Sequence, residues 1–105
     1  MTEITPEMIA VVARGMGYEY HKYASFEEGK ELFAKNMILD EYNPIENPSQ
    51  LLEIMEKLKI CIMPHDIEIF WEAYLGYKGK IYEATGKTIN EAVVLAAYNF
   101  YNGGA

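Results

Sequence analysis

The chain has 105 residues, half of them apolar and about a quarter charged, which is the make-up of one globular domain (residues 1–105) and not of a disordered segment. Sixteen acidic residues against nine basic ones give a net charge of −7, and Arg14 is the single arginine, so direct nucleic-acid binding is not expected. There is no apolar run of the roughly 20 residues that a bilayer crossing needs, the N-terminus lacks the pattern of a signal peptide, and Cys61 has no second cysteine to pair with. A protein of a reducing cytoplasm, away from membranes, is the expectation.

The charge is unevenly placed. Up to Glu56 there are eleven acidic residues and four basic ones (Arg14, Lys22, Lys30 and Lys35), and from Lys57 onward the two signs cancel. Such a surface permits a basic protein partner, although acidity alone also serves solubility.

In chain order, the first helix is expected from about Pro6 to Met16. Thr5 can cap it, Pro6 suits its first position, and Glu7 lies at the positive end of its dipole. Met8, Ile9, Val12 and Met16 recur at helical spacing, and Gly15 or Gly17 supplies the stop. Tyr18–Ala24 (YEYHKYA) is aromatic with partial alternation and reads as a strand. Residues 25–41 admit two readings. Ser25 and Glu28 match a capping box, but Gly29 favours a turn followed by a strand through Leu32–Phe33 or Met37–Leu39, and the turn plus strand is preferred.

The stretch YNPIENPSQLLEIMEKL then places two prolines and two asparagines before an amphipathic run. Asn47 is a good N-cap, Pro48 fits the first helical position, and Gln50 sits where a capping-box glutamine belongs. Leu51, Leu52, Met55 and Leu58 line one face with Ile54 beside them, and Glu53 with Lys57 forms a favourable pair elsewhere. Pro44 keeps Asn43 out of helical geometry. The lead-in is helix-start chemistry.

ICIM (60–63) reads as a short apolar strand ended by Pro64, with Cys61 a small core residue. IEIFWEAYL alternates clearly: Ile67, Ile69, Trp71, Ala73 and Leu75 face one way, and Glu68, Phe70, Glu72 and Tyr74 the other. GYKG is a hairpin connection, and Lys80–Thr85 returns as the partner strand. The last element, TINEAVVLAAYNFYNGG, opens on the capping box Thr88/Glu91 and ends near Gly103. Its core stripe is Val93, Ala96, Ala97 and Phe100, widened by Val94, Tyr98 and Tyr101, which implies burial on more than one side.

The fold class that follows is α+β: a compact single domain with a small, mainly antiparallel sheet and about three helices. The later part of the chain resembles a known group of small phage and prophage proteins, the phage ABA sandwich domain. The likeness lies in Tyr42, Asn43, Pro44 and Asn47 leading into a helix with Glu53, Glu56, Lys57 and Leu58, then Trp71–Tyr74 in an aromatic hairpin and Glu91–Ala97 in an alanine-rich helix. The Gly-Met-Gly-Tyr at 15–18 is similar as well. The resemblance implies an α/β/α layered sandwich and a phage or prophage source, but no reaction. A sheet covered on both faces should be apolar on both. Glu68 and Glu72 instead share a face with Phe70 and Tyr74, so that face is partly covered, or meets solvent or a partner.

Chemistry-bearing residues are few. His21, Cys61, His65 and Asp66 could ligate a metal, but Cys-x-x-x-His alone lacks the paired spacing of a zinc motif, and no metal or cofactor is expected. A thiolate–imidazole pair from Cys61 and a histidine would sit among apolar neighbours that disfavour the thiolate. The adjacent acids Glu27–Glu28 and Asp40–Glu41 read as solvated surface. Gly15–Gly17 and Gly76–Gly79 lack the spacing of a phosphate-binding loop. No catalytic residue is assigned, and an enzyme is the least favoured reading.

Aromatic residues are abundant: Tyr18, Tyr20 and Tyr23, with Phe70, Tyr74, Tyr77 and Tyr82, exceed what one small core needs. The candidate partner surface joins acids to rings: Glu27, Glu28, Glu31, Asp40, Glu41, Glu68, Phe70, Glu72, Tyr74 and Tyr77. Tyr98 and Tyr101 are candidates for a homodimer contact. The favoured function is non-enzymatic protein binding by a phage accessory protein in the cytoplasm of a bacterial host, in one form as an inhibitor of a host defence system. The alternatives are a protein that sequesters a small molecule or nucleotide, and a structural or regulatory phage protein.

Overall fold

In the computed structural model, which describes residues 3–20, 32–35, 38–65 and 69–103, the first helix begins where its cap places it. Helix α1 is Pro6–Gly15, and the Thr5 side chain accepts a hydrogen bond from the Met8 N–H. Its end is closed by Gly17 at φ +96°, with the Tyr18 N–H donating to the Ala13 carbonyl.

Strands β1 (Glu19–Tyr20), β2 (Leu32–Lys35) and β3 (Ile38–Glu41) make one antiparallel sheet in that order. The described parts of both strand candidates, Leu32–Phe33 and Ile38–Leu39, are therefore used, in two paired antiparallel strands. The readings placed on residues 21–31 lie outside the described residues.

Helix α2 is Pro48–Leu58, and the Asn47 side chain accepts from the backbone N–H groups of Ser49 and Gln50. Two expectations are corrected here. The Gln50 amide oxygen does not return to the cap residue. It accepts from the Asn43 N–H at 2.7 Å and so ties the proline-rich lead-in to the helix. Leu52 is 54% exposed, because the buried side is centred on Ile54 with Leu51, Met55 and Leu58, and Leu52 points away from that line.

Three further strands form the second antiparallel sheet: β4 (Cys61–Pro64), β5 (Trp71–Tyr77) and β6 (Lys80–Gly86), with β5 central. β5 and β6 are joined by the two residues Lys78 and Gly79, at φ +50° and +78°, the geometry of a type I′ turn. The register puts Trp71, Ala73, Leu75 and Tyr77 of β5 on the inner face with Ile62 of β4 and Tyr82 and Ala84 of β6. β5 starts two residues after Ile69, which is 99% exposed and not on the inner face as its alternation suggested. Just before β5 the His65 N–H donates to the Phe70 carbonyl.

Helix α3 (Ile89–Gly103) lies on the inner face of this sheet. Ala92, Ala96 and Ala97 are fully buried and, being small, let the helix approach the strands closely. Thr88 caps it by accepting from the Glu91 N–H, and Glu91 in turn accepts from the Lys87 N–H. α1 and α2 pack against α3 on the side away from the sheet, so α3 is enclosed from two directions. The result is a compact α+β domain with one core, running from Val12 and Met16 of the α1 region through Ile54 to Val93, Val94 and Leu75. The described helices all lie to one side of the β4–β5–β6 sheet.

Candidate functional site

The outer face of that sheet is set by the same register. Cys61 and Met63 of β4, Glu72, Tyr74 and Gly76 of β5, and Ile81, Glu83 and Thr85 of β6 point away from α3. Ile81 is 70% exposed and Met63 41% exposed, both large apolar side chains in water. Cys61 is exposed too, which corrects its reading as a core residue: it stands opposite Tyr74, on the outer row. The Tyr74 hydroxyl donates to the Met63 sulfur at 3.2 Å, laying the ring along the face. At one end His65 stacks on Phe70 with ring centroids 4.2 Å apart, and its Nε2 lies 3.8 Å from a Glu72 carboxylate oxygen.

Of the candidate partner residues, the structure brings Phe70, Glu72 and Tyr74 together at this face. Tyr77 is on the other side of β5, its ring edge-on to Phe100 at 5.2 Å. Tyr82, counted among the surplus rings, is buried and packs against Phe100 as well. Asp40 and Glu41 fall on β3 opposite Phe33 and Leu32, in the other sheet. Glu27, Glu28, Glu31 and Glu68 lie outside the described residues. Tyr101 packs on α1, its hydroxyl 3.4 Å from the Met16 sulfur. Ile81, Glu83, Met63 and Cys61 were missed. The period-two alternation of Ile81, Glu83 and Thr85 in KIYEAT was the available signal, since it marks a face with two polar members.

The thiol–imidazole pairing of Cys61 with His65 is not assembled. The two lie four residues apart on an extended run, a separation of about 13 Å, and His65 is turned to Phe70 and Glu72. His21 and Asp66 lie outside the described residues. Among the described residues, no group of three or more His, Cys, Asp or Glu side chains is placed to hold a metal ion, and no helix is long and apolar enough to cross a membrane.

A cleft of about 530 Å³ opens between the start of α1, the 43–46 segment and the start of α3. Ile4, Ile9 and Ile45 line it, together with Glu3, Glu46 and Glu91 opposed by Lys87. Three carboxylates against one ammonium repel an anionic ligand such as a nucleotide.

Among the described residues, Tyr42 is a strongly perturbed titratable group. Burial raises its phenol pKa well above the usual range, and the nearby Tyr18 and Glu53 push it further the same way. Burial also raises the pKa of Tyr101. A raised folded-state pKa contributes stability that is fully present below the unfolded phenol pKa of about 10 and is lost progressively as pH climbs from there through the raised folded value. The melting temperature is therefore expected to stay level between about pH 7 and 9 with respect to these groups and to fall above about pH 10. Tyr42→Phe should flatten that alkaline decline. An unchanged slope in the variant would refute the assignment.

No protein-family model matches the chain, and no curated protein sequence is found to match it. Among solved structures, the fold is similar to that of a phage protein from Bacillus cereus ATCC 14579, with a TM-score of 0.66 over 93% of each chain. The sequences are 14% identical, so the likeness is one of fold.

Proposed function

We propose that the chain is a phage or prophage accessory protein of the ABA sandwich group that acts, without catalysis, by binding another protein through the outer face of β4–β5–β6. The observation that carries the reading is that face: Ile81, Met63 and Cys61 exposed beside Tyr74, with Glu72 and Glu83 among them. Large apolar side chains exposed on one sheet face and interspersed with carboxylates suit a contact surface. The fold shared with a phage protein and the phage-like residue pattern support the source, and with it action in the cytoplasm of a bacterial host.

The two carboxylates on this face, Glu72 and Glu83, favour a basic partner. The narrower form of the proposal is an inhibitor of a host defence nuclease, whose nucleic-acid groove has the complementary charge. A second reading, a small-ligand binder, is supported by the 530 Å³ cleft and ranks lower because its carboxylates oppose the anionic ligands most worth sequestering. A thermal-shift screen that moves the melting temperature with a nucleotide would reverse that order.

The test of the main reading is affinity capture from host cells at low salt. Ile81→Lys places a cation on the face while keeping a residue that edge strands tolerate. Leu52→Asp is the control on exposed α2 surface. The partner should be recovered with the wild type and with Leu52→Asp, and reduced at least tenfold with Ile81→Lys. Equal recovery by all three, or no partner at all, refutes the reading.

A further inference from the structure

We infer that the occupant of the outer sheet face is a single amphipathic α-helix of the partner protein, apolar along one side and bearing lysine or arginine beside that stripe. This rests on the protein-binding reading above and specifies the shape and charge of what binds.

Width is the first argument. Three strands spaced about 4.8 Å apart span about 10 Å across, and one helix with its side chains is about 10–12 Å wide. One helix covers the face as α3 covers its reverse side.

The relief of the face is the second. Gly76 lies opposite the exposed Ile81 and two residues after Tyr74 on the same face, and a methyl group built there would meet no atom within 4 Å. The missing side chain leaves open space beside Tyr74 and Ile81, able to accept one projecting side chain of a helix.

Charge is the third. Among the described outer-face residues of the three strands there are two carboxylates, Glu72 and Glu83, and no lysine or arginine. A second copy of this chain docked face to face would oppose carboxylates to carboxylates in a chain already at −7. A helix with cations flanking its stripe would pair them. Addition of a strand at the β6 edge is a weaker candidate, because the Asn99 side chain of α3 already donates to the Glu83 carbonyl there at 3.0 Å.

The test is photo-cross-linking in host cells with a benzophenone amino acid at position 81 or 63, and at position 52 as the control, followed by sequencing of the joined peptides. Positions 81 and 63 should join to a segment that is helical in its own protein, with apolar residues at i, i+3 or i+4 and i+7 and basic residues beside them. Glu83→Lys should lower the yield from position 81 at least threefold. Joining to a partner's strand or loop overturns the helix and leaves the protein-binding reading standing. Joining to a second copy of this chain overturns the basic helix in favour of self-association. Absence of any product from 81 and 63 overturns both readings.

Discussion

Replacing Ile54 with alanine is expected to lower the unfolding free energy by roughly 2–5 kcal/mol, the range for truncating a fully buried aliphatic side chain. Ile54 has no exposed surface and sits at the centre of the α2 side that meets the core. The loss combines the transfer energy of the removed methyl groups with the cavity left behind. α2 is held at one end by the Gln50–Asn43 hydrogen bond and at the other by Lys59 in the left-handed conformation, so it can slide little to refill the space. A domain of this size has a total stability of about 5–15 kcal/mol, so a large share is at stake. In a urea titration the midpoint should fall with an unchanged slope. Leu52→Ala, two residues away and exposed, should change it by less than about 0.5 kcal/mol. Equal effects at the two positions would mean that α2 is turned differently on the core.

Gly86→Ala is expected to cost about 1–3 kcal/mol, toward the upper end of the range for overpacking. Gly86 ends β6 under the first turn of α3, and an added methyl would lie 2.6 Å from the Ala92 nitrogen and 2.8 Å from the Glu91 β-carbon. The obstacle is helix backbone, which cannot swing aside as a side-chain tip can. Relief would require lifting α3 from the sheet, where Ala92, Ala96 and Ala97 depend on close approach. Gly15, at the other side of α3, also has no room for a methyl group, but the obstacle there is a side chain, the Tyr101 ring. Gly103, at the end of α3 with nothing within 4 Å, is the control, and alanine there should be neutral or slightly stabilising. Unfolding midpoints of the Gly86 and Gly103 variants that coincide would refute the close packing of α3 on β6.

The helices were legible in the sequence because their ends are written in local chemistry. Thr5–Pro6, Asn47–Pro48 and Thr88–Glu91 each satisfy backbone N–H groups within a few residues, and no tertiary information is needed to read them. What depended on distant partners was less legible. In α2, Leu51, Leu52, Ile54, Met55 and Leu58 fit two overlapping stripes, and only packing against α3 selects the one that leaves Leu52 outside. Cys61 lies in a four-residue apolar strand whose two faces look alike, so its exposure follows from pairing with Tyr74 and not from its neighbours. Ile69 continues the alternation of β5 in sequence, yet β5 starts two residues later and Ile69 is exposed.

The candidate site was half legible for the same reason. Glu72 and Tyr74 shared a parity that conflicted with a doubly covered sheet, and that conflict pointed to the bare face. The apolar part of the face, Ile81 with Met63 and Cys61, was hidden because apolar residues are read as core by default.

Cys61 offers the most direct measurement, because its thiol stands on the outer face itself. The rate of its alkylation by iodoacetamide should be compared in the free protein and in the native complex recovered from host cells. Fast labelling of the free chain and at least tenfold slower labelling in the complex is the result expected if the partner covers β4–β5–β6. Equal rates in the two would contradict binding through that face.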